Sequence, residues 1–259
     1  MQNVSIITYL IVCPFVFLAG FVDSIGGGGG LISLPGYLIA GLPPVVASAT
    51  NKLSAFMGTS VAFANYTKKG FVRLKVAIPA SIFAIVFSSL GAKVQTMIPE
   101  NVLKVFMLIA LPLSLLIMLN KNAFKMQINL ITHFGRKEYI EVFIISSVMG
   151  FYDGIYGPGC GTFLILLFVN VVGMTLKESN GLAKAINLAT NIGALLYFIK
   201  VGLPIFSLGI VAGIFNMIGC YIGSNLFAKK GNGITRPIMI IVMLIFMIKI
   251  IFELFVFKG

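Results

Sequence analysis

The sequence predicts an all-α polytopic membrane protein built from two related halves. Three observations carry that prediction. Apolar residues make up 59% of the chain against 10% charged, and mean hydropathy is +1.05, so lipid must solvate most of it. A ten-residue motif recurs: GFVDSIGGGG at 20–29 and GFYDGIYGPG at 150–159, with six identities at a shift of 130. Each copy breaks an apolar run with glycines, which a regular helix does not tolerate.

A spanning helix needs about 20 apolar residues, so the chain holds roughly eight to ten segments and no separate soluble domain. The segments read as 4–24, 30–42, 46–66, 76–95 and 102–119, then 139–154, 161–176, 181–199, 204–227 and 237–257. Residues 1–120 form a first repeat, 121–138 a basic cytoplasmic linker and 139–259 a second repeat. The first segment lacks the basic flank of a signal peptide and runs into the motif, which makes it a retained helix. The short second segment of each half either crosses or dips in and returns. Crossing gives five segments per half and an inverted pair; dipping gives four and a parallel pair.

Loop charge separates these topologies, because cytoplasmic loops are rich in Lys and Arg. Basic residues cluster at Lys68, Lys69, Arg73 and Lys75, at Lys121, Lys125, Arg136 and Lys137, and at Lys229, Lys230 and Arg236. Only the five-plus-five arrangement puts all three clusters on one side, with both chain ends outside and His133 in the cytoplasm. The net charge of +12 then reflects membrane orientation rather than a nucleic-acid partner.

The chemistry concentrates at the breaks. Irregular backbone at membrane depth persists only where protein or a wet cavity satisfies it, and matched breaks point to a transporter binding site. Gly27, Gly28 and Gly29, with Gly157 and Gly159, can turn backbone N–H groups toward an oxyanion, or can simply let helices pack closely. Asp23 and Asp153 lie inside the motifs and must be compensated by coupling to a proton, by capping a helix or by pairing with a lysine. Lys52 and Lys184, related by a shift of 132, follow in ATNK and LAKAINLATN. Together with the donors Asn51, Asn187 and Asn191 they suit a small anion, unless each lysine snorkels or pairs with an Asp.

Other polar residues are blander. His133 sits in a basic loop, and Glu100, Glu138, Glu141, Glu178 and Glu253 lie near segment ends. Cys13, Cys160 and Cys220 have neither disulfide nor metal-ligand spacing, although Cys160 falls in the second break, where a thiol could meet a sulfur-containing substrate. No motif calls for a cofactor, and no Gly-x-x-x-x-Gly-Lys sequence supplies ATP.

The motifs GFVDSIGGGGGLISLP at 20–35, ATNK at 49–52, GFYDGIYGPGCGTFL at 150–164 and LAKAINLATN at 182–191 resemble the TauE/SafE family over nearly the whole chain. The resemblance implies a bacterial-type inner-membrane location, a duplicated helical fold and movement of small sulfur-containing or organic anions such as sulfite and sulfonates. The expected function is a secondary anion transporter, non-enzymatic, with a passive channel or an intramembrane enzyme as alternatives. Its partners are a small anion, the bilayer, a coupling proton if Asp23 or Asp153 carries one, and a second copy of the chain if it oligomerises.

Overall fold

The computed structural model describes residues 4–99, 102 and 134–231, and all the regular structure in them is helical. The expected segments at 102–119 and 237–257, with the linker around His133, lie outside the described residues. The remaining eight expected segments all form. They are α1 (Ile6–Gly26), α2 (Gly30–Ile39), α3 (Pro44–Lys68) and α4 (Leu74–Met97), then α5 (Arg136–Ile155), α6 (Cys160–Leu167, prolonged by a wider π turn at Phe168–Val172), α7 (Leu176–Lys200) and α8 (Phe206–Lys230).

Local sequence fixes the helix ends. Ser5 caps α1 by accepting from the Ile7 N–H at 3.3 Å, and Pro43–Pro44 opens α3, where a missing N–H is harmless. Thr175 and Glu178 form a reciprocal capping box on α7. Gly173 adopts φ +80° to turn the chain out of the π turn. Helices α1, α4, α7 and α8 are long and apolar enough to span a bilayer. Helix α3 is as long, at 25 residues, but is rich in Ser, Thr, Asn and Lys, which places it inside the bundle instead of against lipid.

Two hydrogen bonds set the direction of α3 against α7: Asn191 donates to Thr59 at 3.3 Å, and Asn180 donates to the Tyr66 hydroxyl at 3.4 Å. Beyond the end of α7, the Ile205 N–H donates to Thr50 at 3.1 Å and continues the same order. As α3 residue numbers rise their partners fall, so the two helices are antiparallel.

The helices sort into two bodies that do not coincide with the chain halves. In one, α1 packs on α2 and along α8, and α3 also packs on α8; in the other, α4 packs along α5 and α7, with α6 on α7. Small residues allow the backbones to approach, as membrane packing requires. Gly209 lies on Leu53 and Gly213 on Met57, Gly219 and Gly223 lie on the backbone of Phe17 and Phe21, and Gly91 faces Gly154. The α3–α7 contact and the glycine breaks join the two bodies.

The basic ends gather on one side. Arg73, before α4, donates to Glu178 on α7 at 2.8 and 2.5 Å and lies 5.2 Å over the Phe134 ring before α5. Phe227, near the end of α8, packs 5.6 Å from Tyr66 and 6.4 Å from Phe71. Lys68, Lys69, Arg73, Lys75, Arg136, Lys137, Lys229 and Lys230 therefore share one end of the bundle, whereas Lys93 and Lys200 lie toward the other. With Cys13, Cys160 and Cys220 replaced, single cysteines at positions 70 and 231 should react with an impermeant maleimide from the same membrane face, and cysteines at 41 and 202 from the opposite face.

Candidate functional site

The site begins where α1 and α5 stop. Gly27 and Gly28 take φ +77° and +84°, and Gly157 and Gly159 take +90° and +82°, a region that L side chains rarely enter. The chain thereby turns out of each long helix and into a short one. The two turns meet: Thr162 donates to the Gly26 carbonyl at 2.9 Å, Gly27 lies directly on the backbone of Gly161 and Thr162, and Gly30 lies on Pro158. Tyr152 closes the second turn by donating to the Pro158 carbonyl at 2.7 Å.

Across this junction run two ion pairs with exchanged partners. Lys52 of α3 binds Asp153 of α5 at 2.6 Å, and Lys184 of α7 binds Asp23 of α1 at 2.7 Å. Each joins one body to the other, and the four charges sum to zero. Burying a charge without a partner would be prohibitive here; pairing restores most of the lost solvation. Lysine pairing and helix capping thus meet in one residue, because Asp23 also accepts from the Gly29 N–H at 3.1 Å. The protein's own carboxylate sits at the start of α2, where a helix N-terminus favours an anion.

The pairs surround a cavity of about 60 Å³, room for roughly four or five waters or one small oxyanion. Of the residues expected at the site, Asp23, Gly28, Gly29, Asn51, Lys52, Asp153, Gly157, Gly159, Asn187 and Asn191 line it. Gly27 and Lys184 are not on its wall. Gly27 is held in the junction, and Lys184 is wholly buried behind Asp23. Asn51 brings a buried side-chain oxygen that has no hydrogen-bond partner among the described residues.

Sequence reading missed several wall residues. Asn216 enters from α8, anchored by donation to the Val16 carbonyl at 3.2 Å, and Ser33, Ser48, Thr59 and Tyr156 complete the polar lining. An Asn in the middle of the apolar run 204–227, far from the second one at Asn225 near its end, was a usable signal for Asn216. The hydroxyl residues carried none, since Ser and Thr are common in membrane helices as backbone hydrogen-bonders. Cys160 lines the cavity, but its thiol points toward the Met149 carbonyl at 3.6 Å.

This combination of a helical bundle, broken helices meeting at its centre and a polar cavity between them defines a multi-pass integral membrane protein of the transporter type. The chain belongs to the TauE/SafE family: it matches the family described as "Sulfite exporter TauE/SafE" over residues 12–250. It is 32% identical over 256 residues to "Probable membrane transporter protein ORF9" of Sinorhizobium sp, covering 97% of this chain and 95% of that one. It is 34% identical over 241 residues to "Probable membrane transporter protein YfcA" of Escherichia coli K12, covering 91% and 87%. A "Probable membrane transporter protein" of Haemophilus influenzae is 29% identical over 242 residues, covering 92% of each chain. No solved structure matches the chain.

The junction can be probed by two glycines of similar φ and different surroundings. Gly41, at φ +85°, has open space around it, so Gly41→Ala should cost about 1 kcal/mol for backbone conformation alone. Gly27→Ala adds a collision with backbone and should cost about 3 kcal/mol or more. Thermal unfolding in detergent should place the Gly27 variant clearly below the Gly41 variant.

Proposed function

We propose that the protein is a secondary transporter for a small anion, most naturally a sulfur oxyanion or organosulfonate, which binds in the central cavity between the two glycine turns. The observation that carries this reading is the pair of exchanged Lys–Asp bridges spanning a polar cavity at the meeting point of two broken helices. Lys52 supplies a cationic contact, and Asn51, Asn187, Asn191 and Asn216 supply neutral donors. Lys184 acts one layer out, by holding Asp23 at the start of α2. The relatives' names as membrane transporters and the family's description as a sulfite exporter support the substrate class.

The exchanged bridges, the antiparallel α3 and α7 and the gathered basic ends all support an inverted five-plus-five repeat, 1–120 against 139–259 around the basic linker. Such a repeat has two related arrangements of the same contacts, which is the physical basis of alternating access. The moving units are the two packed bodies, α1–α3 with α8 and α5–α7 with α4, because their internal helix contacts are extensive while the surface between them holds the cavity. Outward movement of one net negative charge across an inside-negative membrane gains about 2.3 kcal/mol per 100 mV, so the potential favours export of any cargo that crosses with net negative charge.

Counterflow in proteoliposomes tests the reading. Unlabelled sulfite or methanesulfonate inside the vesicles should accelerate entry of the labelled anion, as a carrier requires; equal rates with empty vesicles would identify a pore. Lys52→Gln should abolish the acceleration. Lys184→Gln leaves Asp23 buried without its counter-charge and should lower stability by about 3–5 kcal/mol, so its first effect is on folding yield and melting temperature.

A further inference from the structure

The two ion pairs are alike in length but not in satisfaction. Asp23 has a partner on each oxygen: one takes Lys184 at 2.7 Å and the other takes the Gly29 N–H at 3.1 Å. Asp153 has only Lys52, on Oδ2 at 2.6 Å; its Oδ1 lies beside Gly157 and accepts from no described residue. Lys52 and Asp153 both line the cavity, whereas Lys184 is sealed away from it. Both carboxylates reach the cavity wall, but only Lys52 brings its ammonium there. That ammonium is the one an entering anion can meet.

The charge balance gives this difference a consequence. With both bridges closed the cavity is neutral, so an entering anion adds an uncompensated negative charge in a poorly solvated space and competes with Asp153 for Lys52. Displacing Asp153 as a carboxylate would leave two anions facing one ammonium. A proton on the free Oδ1 removes that conflict, because the neutral acid releases Lys52 and needs no counter-charge.

We infer that Asp153 takes up one proton when an anion binds, so that Lys52 exchanges its carboxylate partner for the substrate and the loaded cavity stays neutral. This rests on the reading of the cavity as an anion site. The balance is simple: H⁺ from solution bonds to Asp153 Oδ1, Lys52 remains an ammonium throughout, the anion replaces Oδ2 at Lys52 Nζ, and both leave together on release. A monovalent anion thus moves with a proton and no net charge, and the outward drive by membrane potential is removed for that cargo. The other charged or titratable groups near Asp153 are Tyr152 and Tyr156 on its own helix, Cys160 on α6, Lys184 on α7 and Asp23 on α1; α4 meets α5 there through Ala84, Ser88 and Gly91, with Lys93 exposed. Among the described residues Asp153 is the cavity carboxylate with an oxygen to spare.

Methanesulfonate is the appropriate probe, because it stays ionised at every pH the protein tolerates and any proton taken up must come to the protein. Binding to the purified full chain, followed by melting temperature and by pH change in weakly buffered detergent solution, should take up about one proton per anion. Affinity should rise about tenfold for each unit fall in pH, the linkage expected of one coupled proton. Asp153→Asn, permanently neutral, should bind with no proton uptake and no pH slope. Wild-type binding without proton uptake, or uptake persisting in Asp153→Asn, overturns the inference while leaving the anion site standing. Absence of saturable binding to the wild type overturns the anion site and the inference together. If Asp153→Asn does not fold, the wild-type proton count decides alone.

Discussion

Among the described residues four charges lie at the centre of a bundle whose remaining interior is apolar or neutral, and each can be there only because another neutralises it. A single charged side chain at membrane depth costs about 2.5–3.5 kcal/mol on insertion scales, so Asp23, Asp153, Lys52 and Lys184 unpaired would together consume a stability comparable to that of a whole domain. The exchange of partners makes neutralisation depend on tertiary structure. Neither Lys52 nor Lys184 reaches the Asp of its own half; each is satisfied only when the other half is in place. Helices α3 and α7 must then lie at the centre, antiparallel and screened from lipid, and their Ser, Thr and Asn content becomes an asset there.

The glycine turns follow from the same requirement. To set a carboxylate beside the ammonium of the opposite half, α1 and α5 must end near the middle of the bundle. Their chains must also reverse in a few residues without a side chain between them. Gly27 against Gly161 and Thr162, and Gly30 against Pro158, show how little space is left. Asp23 then serves two ends at once, the Lys184 ammonium and the Gly29 N–H just ahead of α2, and the cavity forms where polar groups face inward and no side chain fills the gap.

Much of this was legible before any coordinates. Hydropathy located the eight segments that fall among the described residues, generally within a few residues at each end, because a membrane leaves helices little alternative. The repeated motif located both turns, and most of the expected site residues line one cavity. What the sequence could not reveal was pairing. The intervals from Asp23 to Lys52 and from Asp153 to Lys184 are nearly equal, and that equality says nothing about whether the pairs form within a half or between halves. The same blindness hid the position of Lys184 behind Asp23. Asn216 stood out as a polar residue in an apolar run, but its place on the cavity wall depends on α8 packing on α1 and α3, which the sequence does not state. The short segment at 161–176 ends earlier, in a π turn closed by Gly173, since a positive-φ glycine terminates the helix more firmly than hydropathy extends it.

The exchanged bridges are the claim on which the rest stands, and a double-mutant cycle on Lys52 and Asp153 tests it most directly. Lys52→Met and Asp153→Leu should each lower unfolding free energy by about 3–5 kcal/mol, because each strands a buried charge, whereas the double variant should recover most of that loss by leaving none. Strictly additive losses would mean that Lys52 and Asp153 do not neutralise one another, and the account of the site would fail with them.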